Sequence, residues 1–388
     1  MSRFELDNDK RIFGLDVFRA LAILIVILGH ANQFLVPWAS TPLFKSVTIG
    51  TVISIPFTFV DGVDLFFALS GFLIGGILLK QFRKEPVFGR KELVNFWMRR
   101  WLRTLPAYLI VLLVNIGLLF TILPDETVEK AQLPKYFFFV QNLTHDGMVF
   151  FQESWSLSVE EWFYLTFPFF LACFGLVVRG KSRTWVFVAA CAIYILVVVV
   201  GRGVYGLQHL AANPAASWGG ELRRITLLRL DAIIWGVIFA AFQAYYGEAF
   251  LKYRYHFAVV GLGLVLGSPI PGYAIHGAHQ QPYMFVGYYT LLSAGYACFL
   301  PLAFSIKKTK VPAFKFLTFV SVVSYSLYLV NYSIILHLIK AAVAIDTPAK
   351  AAAAYVGFLA VSLVAAAGLY LAVEKPVLAY RDRVVKEH

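Results

Sequence analysis

Long apolar runs, broken by short polar or basic stretches, constrain this 388-residue chain more than any other feature. A stretch of about 18 or more mostly apolar residues is long enough to cross a bilayer as a helix. Such runs fall at roughly 13–35, 61–80, 104–123, 156–178, 184–200, 226–246, 256–272, 284–305, 317–339 and 351–373. In lipid the backbone must satisfy its own hydrogen bonds, so runs of this length are read as helices. The expected architecture is an all-α polytopic membrane protein with about ten transmembrane helices in a single integral-membrane domain, residues 1–388. Composition agrees: 60% of residues are hydrophobic and 14% charged, against about 25% charged in soluble proteins. The seventh run is the weakest, and residues 47–60 are apolar enough for a further interfacial or re-entrant segment, so nine to eleven helices fit.

The net charge of +12 is a topology signal, not a nucleic-acid signature. With both termini in the cytoplasm, most of the 34 basic residues fall on that side. The inside groups are Arg3/Lys10/Arg11, Lys80 through Arg103, Arg179/Lys181/Arg183, Lys252/Arg254, Lys307 through Lys315 and Lys375 through Lys386. Nucleic acid needs no place in this account. Cys173, Cys191 and Cys298 all fall within apolar runs, which suits small core residues and neither a disulfide frame nor a metal site. The basic start and following apolar run lack a small-residue cleavage site, so the run is kept as the first helix. No internal repeat, low-complexity linker or soluble domain after the tenth run is evident.

The polar residues inside these runs carry the functional signal. The first run, GLDVFRALAILIVILGH (14–30), holds Asp16, Arg19 and His30. Eleven residues at about 100° each return Arg19 and His30 to nearly the same helical face, roughly 16 Å apart. Asp16 lies one turn before Arg19. Ionisable groups inside a bilayer cost several kcal/mol unless paired or wetted, so three on one face point to a lined site. The alternative is an Asp–Arg pair that merely orients the helix, with His30 satisfied in the core.

Six further segments add to it. The second span opens with Asp61 and Asp64 and carries Ser70 with Gly71, Gly75 and Gly76. The glycines read as close helix packing and Ser70 as an orienting hydrogen-bonding group. FWMRRWLRTLPAYL (96–109) clusters Arg99, Arg100 and Arg103 before Pro106. That cluster reads either as positive-inside topology with lipid-headgroup contact or as a phosphate clamp for a cytoplasmic cofactor such as coenzyme A. In ESWSLSVEEWFYLTFP (153–168), Ser156 is the expected N-cap, and Glu160 and Glu161 follow early in the helix. Ser156, Glu160 and Tyr164 share one face, flanked by Trp155 and Trp162. Capping can explain one glutamate but does not readily explain two. Arg229 and Asp231 in the sixth span read as a structural pair, with each other or with another helix. Ser326, Tyr328 and Asn331 enter the ninth span, and Glu374, Lys375 and Pro376 end the last.

Taken together, these segments resemble the membrane acyltransferase-3 family. The match rests on GLDVFRALAILIVILGH, VDLFFALSGFL, RRWLRTLP and SWSLSVEEWFYLTFP, followed in order by RLDAIIWG, SYSLYLVN and EKP. The resemblance covers nearly the whole chain. It implies transfer of an acyl group, commonly acetyl, from cytoplasmic acyl-CoA (acetyl-CoA) to a hydroxyl on a glycan, lipid-linked sugar or small natural product. It also implies O-acetylation chemistry without a metal, in a multi-pass protein of the bacterial cytoplasmic (inner) membrane. The family's Arg-x10-His pair falls on Arg19 and His30, its arginine cluster on Arg99, Arg100 and Arg103, and its WSLSVEE motif on Trp155, Ser156 and Glu160. One departure stands out: many members carry a His where this chain has Asn331. Some relatives add an outer esterase-like domain. Without one, this chain is expected to hand the acyl group on directly or to a separate partner.

On this reading acyl-CoA docks on Arg99, Arg100 and Arg103 with Arg19 near its phosphate or pantetheine end, and His30 acts as base or acyl carrier. Asp16 supports Arg19. Glu160 supplies His30 with a carboxylate or positions the acceptor, for which Trp155, Ser156, Tyr164, Ser70 and Asn331 offer contacts. The rival class is a proton-coupled transporter with the same residues as an ion relay. It would show paired broken halves, which this sequence does not. A non-catalytic assembly subunit, its buried polar groups serving only as helix glue, is the other rival.

Overall fold

The computed structural model describes residues 12–38, 61–84, 89–146, 148–178, 182–212, 222–270, 283–307 and 312–385. Ten principal helices follow in order: α1 (Phe13–Ala31), α2 (Gly62–Lys84), α3 (Arg90–Thr121), α4 (Ser154–Val177), α5 (Arg183–Ala212), α6 (Asp231–Tyr245), α7 (Arg254–Gly267), α8 (Tyr289–Ala297), α9 (Pro312–Val330) and α10 (Pro348–Leu369). Among the described residues nine helical stretches are long and apolar enough to cross a membrane, and α7 is a shorter apolar helix. The protein is therefore an all-α, multi-pass membrane protein, and the weakest expected span is the helix that falls short of crossing length. The apolar stretch 47–60 lies outside the described residues, as do Arg3, Lys10, Arg11, Arg179 and Lys181.

Three helices carry wide π turns. Met284–Tyr288 leads into α8, Asn331–Leu336 continues α9 into His337–Ala342, and Tyr370–Glu374 continues α10 into Lys375–Val384. The last span thus does not end at Glu374. That residue is buried in the π turn, where its carboxylate accepts a hydrogen bond from Ser326. α5 also runs past residue 200, where the sequence predicts its end, because Arg202 is neutralised inside the fold. Its guanidinium forks onto Asp231, Nη1–Oδ1 3.1 Å and Nη2–Oδ2 3.0 Å, and both side chains are fully buried.

Backbone close approach sets the helix arrangement. α2 and α6 meet at glycines: a Cβ on Gly71 would fall 1.9 Å from the Ile233 carbonyl oxygen, and one on Gly236 2.1 Å from that of Ala68. Gly75 also abuts Val237, whereas Gly76 faces open space. Small residues let helices pack where lipid supplies no hydrophobic drive. Across the same contact the charges alternate. Asp61 pairs with Arg223, Asp64 with Arg229, and Asp231 with Arg202, while Arg229 lies over the Tyr289 ring at 4.3 Å. Arg229 and Asp231 therefore pair with other helices and not with each other. A buried charge left without its partner costs several kcal/mol, so these pairs lock α2, α5 and α6 in register.

The helices alternate in direction and leave two distinct ends. At one, Phe13 packs on Phe314, Arg183 donates to the Phe82 carbonyl (2.6 Å), and Arg99 donates to the Val385 carbonyl (2.8 Å). The basic residues at the starts of α3, α5 and α7 gather here. At the other end, the 122–153 connection is tied down. Tyr108 donates to the Tyr136 carbonyl, Tyr136 to that of Phe150, and Trp162 to that of Phe139. Phe139 and Phe151 adopt left-handed backbone (φ 56° and 43°), which packing must enforce in a bulky residue. Their rings lie 4.5 and 5.6 Å from that of Tyr108.

Candidate functional site

A cavity of about 360 Å³ opens among α1, α2, α3, α4 and α9. Arg19, Arg100 and Arg103 line it with Thr104. Ser70, Ser156, Glu160 and Tyr164 line it from α2 and α4, and Ser324, Tyr325 and Tyr328 from α9. Six residues singled out from distant sequence segments, together with Tyr164, thus share one wall system.

Local structure explains each placement. Arg19 sits one turn after Asp16, 3.7 Å away, and Asp16 accepts a hydrogen bond from Ser321 on α9 (3.0 Å). Asp16 is buried and outside the cavity wall; it steers Arg19 into the cavity and ties α1 to α9. Ser70 donates to the Tyr164 hydroxyl (2.5 Å), which donates to Glu160 Oε2 (3.0 Å). Glu160 takes no part in capping: it faces this hydroxyl chain, within electrostatic reach of Arg100 and Arg103. Trp97 Nε1 donates to the Tyr164 carbonyl (2.9 Å), fixing α3 against α4. Glu161 turns the other way and accepts from Thr104 (2.7 Å).

Ser156 is not the N-cap. The chain already turns at 151–155, with Ser154 N–H bonded to the Phe151 carbonyl and Trp155 N–H to that of Gln152. The helix therefore starts at Ser154, with Glu153 as its N-cap. Ser156 falls in the first turn, where its hydroxyl donates to Tyr328 (2.7 Å), and Tyr328 donates to the Glu153 carbonyl (2.8 Å). The Glu153 carboxylate in turn accepts from the Ser333 N–H (3.0 Å) and from the Ser333 hydroxyl. It thereby holds the π turn of α9.

Asn331 begins that π turn, three residues and about 4.5 Å beyond Tyr328 along the helix. It is fully buried, and its Oδ1 lies 2.6 Å from His30 Nδ1. Tyr332 covers the imidazole, ring centroids 4.6 Å apart. The charges acting on His30 belong to Asp61 and Arg223. The expectation that Glu160 stands beside His30 is corrected here, because Glu160 faces the arginines of the cavity. Two other expected site residues also lie elsewhere. Arg99 reaches back to Val385. Trp155 is buried edge-on against Phe67 (5.9 Å) beneath the Arg223 guanidinium (5.2 Å), so its face is already covered.

Sequence reasoning assigned no role to Arg202, Arg223, Glu153, Thr104 or Tyr325. Arg202 lies within an apolar helical pattern, which was a usable signal. The pairing of Arg223 with Asp61 joins positions 162 residues apart and left none.

Comparison with known proteins places this geometry in context. The family model described as an acyltransferase domain, that of the acyltransferase-3 family, matches residues 12–370. "Putative O-acetyltransferase SACOL0978" of Staphylococcus aureus is 32% identical over 186 residues, 45% of this chain and 27% of that protein. "Peptidoglycan O-acetyltransferase OatA" of Listeria monocytogenes is 31% identical over 188 residues, 45% of this chain and 26% of that protein. "Putative peptidoglycan O-acetyltransferase YrhL" of Bacillus subtilis is 32% identical over 237 residues, 57% of this chain and 32% of that protein. The matched regions thus cover about a quarter to a third of the curated relatives' length. No solved structure matches the chain.

Proposed function

The chain belongs to the acyltransferase-3 family, and from that premise we propose that it transfers an acetyl group from cytoplasmic acetyl-CoA to a hydroxyl of a glycan. The observation that carries this reading is the cavity where Arg19, Arg100 and Arg103 meet Ser70, Tyr164 and Glu160; His30 lies outside its wall, joined to it through Asn331, three residues beyond the lining Tyr328. Guanidinium forks match phosphate and carbonyl oxygens, and in a partly enclosed cavity they bind more strongly than in water. A volume of about 360 Å³ suits the thioester-bearing arm of the donor and leaves its nucleotide toward the basic end, which is the cytoplasmic end on this reading. The glycan class is supported by the relatives named as peptidoglycan O-acetyltransferases.

The chemistry assigned to the chain is general-base transfer. His30 takes the proton of the acceptor hydroxyl as its oxygen bonds to the thioester carbonyl carbon. The carbon–sulfur bond then breaks, and the thiolate leaves and regains a proton from the imidazolium. Arg19, held by Asp16, lines the cavity with Arg100 and Arg103 and takes the phosphate or pantetheine end of the donor. The chain Ser70–Tyr164–Glu160 orients the walls of the donor arm. The protein resides in the cytoplasmic membrane of a bacterium, with the acceptor approaching at the end opposite the basic one.

The test is release of free CoA from acetyl-CoA by purified protein in lipid nanodiscs, with and without a glycolipid extract. Wild type should show extract-stimulated release, and His30→Ala should lose it while still binding CoA. Loss of binding together with turnover would remove the base role from His30. No binding by folded wild type would overturn the donor assignment.

A further inference from the structure

The contacts of Asn331 decide which nitrogen of His30 is available, and this follows from counting donors. The Asn331 amide nitrogen is committed twice, to the Leu327 carbonyl (2.8 Å) and to the Tyr328 carbonyl (2.8 Å). Both bonds require its NH₂ group on that side, so the atom facing the imidazole is Oδ1, at 2.6 Å from Nδ1. A carbonyl oxygen only accepts. The proton of a neutral imidazole must then sit on Nδ1, leaving Nε2 as the bare nitrogen. Nε2 makes no hydrogen bond among the described residues.

We infer that Asn331 is a positioning residue: it holds His30 as the Nδ1–H tautomer and so makes Nε2 the atom that receives the acceptor's proton. This rests on the base role proposed for His30. The arrangement is built from the backbone outward. Glu153 draws the Ser333 N–H out of the helical ladder and sustains the π turn, which carries Asn331 at its first position and Tyr332 at its second. Asn331 fixes the ring through one nitrogen, and Tyr332 packs against its face at a tilt of 53°. The role parallels that of a carboxylate behind a catalytic histidine, but a neutral amide sets the tautomer without adding a charge. Asn has only one way to face Nδ1 once its NH₂ is spent.

Two measurements test this independently. The first is ¹⁵N NMR of the histidine-labelled protein in nanodiscs, with the His30 signals identified by their loss in His30→Ala. At a pH where His30 is neutral, Nδ1 should appear as the protonated nitrogen and Nε2 as the unprotonated one. The reverse assignment, or a tautomer mixture, overturns the inference whether or not the protein is active. The second is steady-state kinetics. Asn331→Leu should lower kcat about 10- to 100-fold, the usual cost of losing an outer partner that orients a histidine, with KM for acetyl-CoA changed less than twofold. In Asn331→Leu the single Nδ1–H signature should also give way to a tautomer mixture, because Leu offers Nδ1 no acceptor. Equal activity in wild type and Asn331→Leu would overturn the positioning role and leave the proposed reaction standing. Wild-type protein with the predicted tautomer and no transferase activity would instead count against the reaction.

Discussion

Arg99 and Arg103 share a helical face by spacing, but Arg103 and Arg100 are the pair that line the cavity, while Arg99 holds the Val385 carbonyl at 2.8 Å. Residue type and spacing alone therefore place the cluster and not its division of labour. If the cavity takes the donor, Arg100→Ala and Arg103→Ala should each raise KM for acetyl-CoA about tenfold or more, since a hydrogen bond to a charged group is worth about 1.5–3 kcal/mol. Arg99→Ala should leave KM within about threefold. Steady-state titration of the three variants checks this; an Arg99→Ala defect as large as the others would mean the donor lies outside the cavity. Of the residues read from sequence, Arg19, Arg100, Arg103, Ser70, Ser156, Glu160 and Tyr164 converge because each sits on a helix whose apolar pattern already implies an inward polar face. Trp155 shows the limit. Its motif is recognisable, but whether an indole face is open or covered depends on Phe67 and Arg223, which come from other parts of the chain.

At the scale of elements, the glycines of α2 separate by what stands opposite them. Gly71→Leu should destabilise the protein by about 3 kcal/mol or more, because the side chain meets the α6 backbone and not a flexible neighbour. Gly76→Ala, which meets open space, should be neutral or stabilising by up to about 1 kcal/mol, as expected of Gly→Ala in a helix interior. Thermal midpoints in detergent compare the two; equal midpoints would refute the glycine-mediated contact between α2 and α6. The sequence pattern identified all three glycines as small residues in a span. Only the facing helix distinguishes them. The same holds for α4, which begins two residues before its expected Ser156 cap because Phe151 and Gln152 supply carbonyls that nucleate the turn early.

Across the whole molecule, α10 and its continuation run from Pro348 to Val384, about 55 Å of helix at 1.5 Å per residue. Asp346 and Arg381 therefore mark opposite ends of the bundle. In a Cys173→Ser background, a membrane-impermeant maleimide should label Asp346→Cys in intact cells and Arg381→Cys only after the cytoplasmic face is opened. Cys191 and Cys298 are buried and should stay silent. Labelling of Arg381→Cys from outside would invert the orientation and move the donor end with it.

The sequence by itself determined the membrane class, the approximate number and order of the spans, and which segments carry polar residues into them. Hydropathy is a property of each residue summed along a short window, so no distant part of the chain has to be known. The tertiary structure decided that Asp64 pairs with Arg229 and Asp231 with Arg202, that Glu160 faces the arginines, and that Asn331 faces His30 across 301 residues of chain. Those facts depend on the rotation of each helix about its axis, which is set by backbone close approach at a few glycines and by the need of every buried charge for a partner.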